Sequence, residues 1–279
     1  MLLVFAFHGI WVVHLRFLSA SEMRALLVTT CGKLSGNVLH QARNAALRWN
    51  VPFTEREWKA PLRSLLDQAN AVIVFGQRGV ELWDSEGHIA FHEGLAALRL
   101  GRYAAGDRAD PLVRAADFRA GDVVLDATLG LGQDAMVAAR AVGPSGRVLG
   151  VERSPALHAL VAAGLEARRP DPASARIETR CADSAEVLAE LGPGSVDVVL
   201  FDPMFGRSQG AQPPFQLLRR HASHAPLTPE LLELGRRAAR RVVVIKAARY
   251  SDALKRLGLT PEPHSRFTQV VYARASSLP

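Results

Sequence analysis

Cysteine is nearly missing from this chain, and so is lysine. Cys31 and Cys181 are the only thiols in 279 residues, far apart and outside any CxxC spacing. No disulfide framework and no zinc module is therefore suggested, and the usage fits a reducing cytoplasm. Aromatic residues make up only 6%. No internal repeat or low-complexity tract is visible, which excludes a solenoid or a linker-type chain. Long uninterrupted apolar runs are missing too. The opening MLLVFAFHGIWVVHLRFLSASE has no basic residue ahead of its apolar part and is broken by His8, His14 and Arg16. It is too short to span a bilayer comfortably, so no membrane partner is expected. We expect residues 1–22 to lie upstream of the true start at Met23, a secretory signal being the alternative.

What is present is a basic, ordinarily apolar chain. Apolar residues reach 48% and charged residues 22%, as in globular enzymes. The formal net charge is +7 and the pI about 10.1. That balance favours an anionic partner such as nucleic acid. Only four of the 34 basic residues are lysine, at 33, 59, 246 and 255. Such arginine dominance also arises from codon composition.

Strand and helix patterns alternate from Met23 onward. A strand over 25–30, a helix capped by Ser35, a short strand in VPFTERE, a helix opened by Pro61 and the strand AVIVFG outline a small α/β unit at 23–85. Residues 86–120 read as a connector with helical pieces, carrying Arg99, Arg102, Arg108 and Arg114 beside Phe91, His92 and Tyr103. From Gly121 the alternation is regular. Strands are expected at 123–127, 147–152, 176–182, 196–201 and 241–247, with helices at 133–142, 154–169, 184–191, 228–241 and 251–258. An extended piece near 262–265 and a strand at 267–275 close the chain, spaced tightly enough for an antiparallel last strand. Nearly continuous apolar strands separated by helices imply a doubly wound, mostly parallel sheet in the domain 121–279.

Two glycine patterns compete after the strand 123–127. Residues 130–135 formally satisfy GxGxxA, the nicotinamide-dinucleotide fingerprint. In that motif, however, the first glycine directly follows the strand. Here Asp126 ends the strand, and Ala127, Thr128 and Leu129 intervene before Gly130 and Gly132. The resulting DxxxGxG resembles that of class I S-adenosylmethionine-dependent methyltransferases, whose Rossmann-like fold the chain is expected to share. The resemblance implies S-adenosylmethionine as cofactor, with Asp126 near its amino acid portion and Gly130 and Gly132 admitting the nucleoside. Glu152 is implied at the ribose hydroxyls and Asp183 at the adenine amino group, with Thr128, Arg153 and Ser184 beside them. Asp183 or Glu152 alone could equally be a helix cap. No metal is called for.

The stretch VVLFDPMFGRSQ then supplies an acid, a proline and a ring at a strand's carboxyl end. Asp202-Pro203-Met204-Phe205 resembles the [D/N]-P-P-[Y/F] motif of methyltransferases that act on exocyclic amines, with Met204 in place of the second proline. The resemblance implies that Asp202, which also adjoins the cofactor, accepts the amino hydrogens, that Pro203 fixes the turn, and that Phe205 stacks on the base. DATLGLGQDA, FDPMF, RVVVIKAARY and Phe91-His92-Glu93-Gly94 together resemble the bacterial 16S rRNA guanine-N2 methyltransferase family and its rRNA methylase relatives. That family implies methylation of guanine N2 in 16S rRNA or the small ribosomal subunit, with His92, Arg99, Arg102, Arg207 and Lys246 as RNA contacts. Basic helix faces bearing Arg219, Arg220, Arg236, Arg237, Arg240 and Arg241 point the same way. The chain departs from the family at Gly206-Arg207-Ser208, where a basic pair often stands. A small-molecule or protein methyltransferase, and a non-catalytic module that binds RNA or a nucleotide, remain alternatives.

Overall fold

The computed structural model describes residues 5–7, 10–12, 26–32, 36–56, 60–106, 109–203, 213–222 and 225–278. Its first element is an antiparallel ribbon, β1 (Phe5–Phe7) with β2 (Ile10–Val12). The rest of residues 1–22, Ser35, Arg108 and residues 204–212, with Met204, Phe205 and Arg207 among them, lie outside the described residues.

A four-stranded sheet follows. It takes β3 (Leu26–Thr30), then, after helices α1 (Gly36–Trp49) and α2 (Arg63–Leu66), β4 (Ala71–Gly76), β5 (Gly79–Asp84) and β6 (Gly87–Ala90) in the order β3-β4-β5-β6. The first pair is parallel and the other two antiparallel. VPFTERE contributes only an isolated bridge, Phe53 to Val28. The strand over 87–90 is a correction, because the sequence pattern leaves those residues in the connector. The hairpin is closed by Asp84, whose carboxylate accepts from the amides of Glu86 and Gly87 at 2.9 and 3.0 Å. A side chain that replaces ladder partners in this way makes a tight turn without Asn-Gly. The connector also holds two helices, α3 (Leu95–Ala104) and α4 (Pro111–Ala116). Asp110 caps α4, accepting from Leu112 and Val113, and Pro111 stands in its first turn.

The second sheet carries the site. In chain order its elements are β7 (Val123–Asp126), α5 (Gln133–Val142), β8 (Arg147–Glu152), α6 (Pro155–Ala167), β9 (Arg176–Cys181), α7 (Ser184–Glu190) and β10 (Val196–Phe201). They continue with α8 (Pro213–His221), α9 (Pro229–Ala238), β11 (Ala239–Ala248), α10 (Ala253–Arg256) and β12 (Val270–Ser276). The strand order is β12-β11-β10-β7-β8-β9, all parallel except β12. The central valine-rich strands β7, β10 and the middle of β11 are buried on both faces, as parallel strands covered by helices must be, while edge strand β9 is only partly buried. The piece at 262–265 shrinks to one antiparallel bridge, Pro261 to Ala273, and β12 starts three residues later than the pattern suggests. α8 has no counterpart among the expected elements.

α6 joins the two sheets. Nine consecutive residues, Ala156 to Gly164, are buried, and a helix apolar all round must be covered all round. Leu157, Leu160 and Ala163 pack with Ile73 and Leu82 of the first sheet, while Val161 packs with Val137 and Val148 of the second. Among the described residues no helix is long and apolar enough to cross a membrane.

Candidate active site

Connections run outward from β7 through β8 and β9 on one side, and through β10 and β11 on the other. The crevice between the carboxyl ends of β7 and β10 is the switch point at which doubly wound sheets bind ligands. A cleft of about 280 Å³ opens there. It is lined by Asp126, Thr128, Gly130, Glu152, Arg153, Asp183, Ser184, Asp202, Pro203 and Lys246, so the acids expected at successive strand ends meet in one wall.

Asp126 is 2% exposed and accepts the Thr128 amide at 3.1 Å. Burial, with the charge of Asp134 adding to it, pushes its carboxyl up to about 8. Thr128 then laces the two strand ends together, its hydroxyl accepting the Asp202 amide at 2.5 Å. Glu152 accepts the amide of Gly130 at 3.1 Å and that of Ser154 at 2.8 Å. Burial raises its pKa, and the amides of Ser154, Gly130 and Arg153 offset part of that rise. Asp183 caps α7 through the Ala185 amide at 2.8 Å and stands 3.4 Å from Arg153. It thus serves as the cap that its sequence context also allows, while still lining the cleft. The Ser184 hydroxyl donates to the Ala127 carbonyl.

Gly130 and Gly132 differ. Both have positive φ, 51° and 73°, which favours glycine in this turn. Gly132 does not line the cleft, however. A Cβ there would meet Val161 of α6 at 3.2 Å, so its place in the fold is close packing at the start of α5.

A chain of charges backs the cleft. Lys246 donates to Asp202 at 2.6 Å and to Asp134 at 2.9 Å. Asp134 also takes a bond from Arg99, whose guanidinium grips Asp110 at 2.7 and 3.0 Å. Burial opposes ionisation of Asp134, but Lys246 and Arg99 outweigh it and hold the pKa below the usual carboxylate range. Burial likewise opposes the charge on Lys246, yet Asp134 and Asp202 carry its pKa well above normal. Sequence reasoning missed Asp134. An acid in the first turn of a helix is ordinarily explained by the helix dipole, which conceals it.

The residues expected to meet RNA separate. Lys246 lines the cleft; Arg99 is held by Asp110 and Asp134 behind it; His92 and Arg102 are exposed and do not line it. Their neighbours clip the two sheets together. The Phe91 ring lies on Gly164, where a Cβ would meet it at 2.0 Å, and Glu93 pairs with Arg168 at 2.6 Å. The remaining wall, Leu218, Ala222, Pro226 and Leu227, comes from the end of α8 and the stretch before α9. Among the described residues no group of three or more His, Cys, Asp or Glu is placed to hold a metal ion.

Comparison with known proteins agrees with this geometry. Residues 60–267 match a family described as "Putative SAM-dependent methyltransferase". The chain is 33% identical to YpiP, an uncharacterized protein of Bacillus subtilis, across 79% of this chain and 88% of that one. It is 31% identical to Ribosomal RNA small subunit methyltransferase J of Pseudomonas aeruginosa, across 80% and 85% of the two chains. The namesake from Laribacter hongkongensis is 38% identical, but there the match spans 57% of this chain and 58% of the relative. A crystal structure of a SAM-dependent methyltransferase from Neisseria gonorrhoeae superposes with a TM-score of 0.56 at 20% identity, covering 91% of this chain and 96% of that one, and shows the shared fold. The chain belongs to the S-adenosylmethionine-dependent methyltransferases, an enzyme family that uses S-adenosylmethionine as its cofactor.

Proposed function

We propose that this enzyme methylates an exocyclic amino group, the N2 of guanine in 16S ribosomal RNA, acting in the cytoplasm on the RNA or the small ribosomal subunit. The observation that carries the reading is the contrast among the acids of one cleft. Asp126 and Glu152 are 2% and 7% exposed, whereas the side chain of Asp202 is 42% exposed while held at 2.6 Å by Lys246. Asp202 is therefore the acid of the β10 end that a second substrate can reach. The names of the Pseudomonas and Laribacter relatives support rRNA as that substrate.

The cleft suits the cofactor. Asp126 offers a carboxylate to the cationic amino acid end and Glu152 to the ribose hydroxyls. Asp183 and Arg153 are assigned to the adenine end, and Leu157, Leu218 and Leu227 also line the cleft. Gly130 lets the backbone approach, since a Cβ there would project into the turn's open side, with Thr128 O its nearest neighbour at 3.8 Å. S-adenosylmethionine, when bound, supplies a methyl group on a sulfonium, already a good leaving group. The protein's task is then positioning and electrostatics. Asp202 accepts an amino hydrogen of guanine and stabilises the positive charge that grows on nitrogen. Burial and the Asp134 charge push the Asp202 carboxyl up, and Lys246 works against that rise while aiming the carboxylate. Pro203 fixes the strand end, and Phe205 is assigned to stacking on the base. A small-molecule or protein substrate would have no need of the relatives' RNA chemistry.

Nucleoside mass spectrometry of 16S rRNA from cells with and without this protein tests the reading. One N2-methylguanosine should disappear from the rRNA lacking the protein. An unchanged pattern would contradict the rRNA assignment.

A further inference from the structure

Four residues outside the transfer chemistry cluster just beyond the site. Tyr250 and Phe267 are 80% and 77% exposed, and neither belongs to a core cluster. The Arg249 guanidinium lies 5.2 Å from the Tyr250 ring centre, and that of Arg266 lies 4.8 Å from the Phe267 ring centre. The two halves are tied together, because Arg249 donates through Nη1 to the Arg266 carbonyl and through its amide to Gln269 at 2.9 Å. They follow the carboxyl end of β11 and precede the start of β12, which pair at Ala248 and Val270, on the strand whose Lys246 lines the cleft. Tyr250 follows Lys246 by four residues, at most about 13 Å of extended chain. Lys255 and Arg256 are exposed on α10, which follows directly, with Asp252 exposed just ahead of it.

Packing does not require these rings in water. A wet ring with an arginine over it offers alternating π faces and cations, the chemistry that holds single-stranded nucleic acid by base stacking and phosphate pairing. A duplex, whose bases are already stacked, has nothing to offer such rings. We propose that Tyr250 and Phe267, each with its arginine, form a stacking platform for unpaired RNA bases flanking the target nucleotide. The proposal rests on the RNA reading of the cleft and deepens it.

The test uses the full chain, a fluorescein-labelled single-stranded RNA oligonucleotide of mixed sequence, and the same sequence as a duplex. Methyl transfer to 16S rRNA is measured alongside. The wild type should bind the single strand more tightly than the duplex. Replacing both Tyr250→Ala and Phe267→Ala should weaken single-strand binding at least tenfold, since one stacked base accounts for roughly 5- to 150-fold. KM for rRNA should rise, while kcat, S-adenosylmethionine affinity and Tm stay near wild type. Tyr250→Phe and Phe267→Tyr should retain binding because the π faces survive. Arg249→Gln with Arg266→Gln should weaken binding and flatten its salt dependence. Alanine variants that bind like wild type, a preference for duplex, or a preference for anionic phospholipid vesicles over RNA would overturn the platform. If those variants still methylate rRNA normally, the platform falls and the rRNA reading stands. If the platform binds oligonucleotide but no methyl group reaches RNA, the rRNA reading falls instead.

Discussion

Asp126 illustrates how a single buried carboxylate tunes the site. Its pKa of about 8 arises from burial first and Asp134 second, with Asp202 adding and the Thr128 amide and Lys246 opposing. Near neutral pH the free protein therefore holds Asp126 largely protonated. A cation arriving beside it lowers that pKa, so S-adenosylmethionine should expel a proton on binding. The free state binds more protons than the complex, so affinity should climb as pH rises toward about 8. Calorimetry in two buffers of different ionisation heat checks this. Release should approach one proton for wild type and vanish in Asp126→Asn, while Asp126→Ala should lose measurable binding. Proton-free binding by the wild type would refute it. Asp126 and Asp202 were legible through DxxxGxG and DPMF, and Glu152 through its place at the end of the next strand. Asp134 and Arg99 were not, because a buried ion chain has no sequence period.

At the scale of elements, α6 shows what pattern reading captures and what it misses. Its apolar run marks a fully covered helix, but nothing in it tells that the second cover is the sheet of β3 to β6. The parallel strands were legible for the same reason, burial on both faces. The β5–β6 hairpin was missed because its turn depends on the Asp84 carboxylate rather than on an Asn-Gly signal. Gly164 reports the α6 junction directly. Gly164→Ala drives a Cβ into the Phe91 ring, and should destabilise the protein by about 1–3 kcal/mol, as overpacked cores do. Adding Phe91→Leu should recover part of that loss in a double-mutant cycle of thermal melts. Additive losses would show that the two residues do not press on one another.

For the whole molecule, many of the arginines behind the positive charge are engaged within the fold. Arg220 is bound to Asp84, Arg236 to Glu233, Arg240 to Asp197 and Arg241 to Asp122, while Arg237 donates to three carbonyls around α7. These arginines hold elements together, and net charge alone does not locate an RNA surface. Global stability should also carry a mark of α6. Burial pushes His158 down to about 4, and its Nε2 has no partner. The unfolded chain binds the proton more readily, so this contribution is present above the unfolded value of 6.5 and is lost as pH falls toward about 4. The loss amounts to roughly 3 kcal/mol across that window. Denaturant titrations from neutral pH to pH about 4 should show a shallower acid limb in His158→Met, and an unchanged limb would assign the acid lability elsewhere.

On the proposed function, one cleft holds S-adenosylmethionine through Asp126 and Glu152 and presents the acceptor amine to Asp202. Asp202→Ala, measured for cofactor affinity by calorimetry and for methyl transfer to 16S rRNA in the same preparation, tests it most directly. Affinity should stay near wild type while turnover falls by about 10²–10³, as for other hydrogen bonds that strengthen in the transition state. Loss of affinity and turnover together, or unchanged turnover, would contradict it.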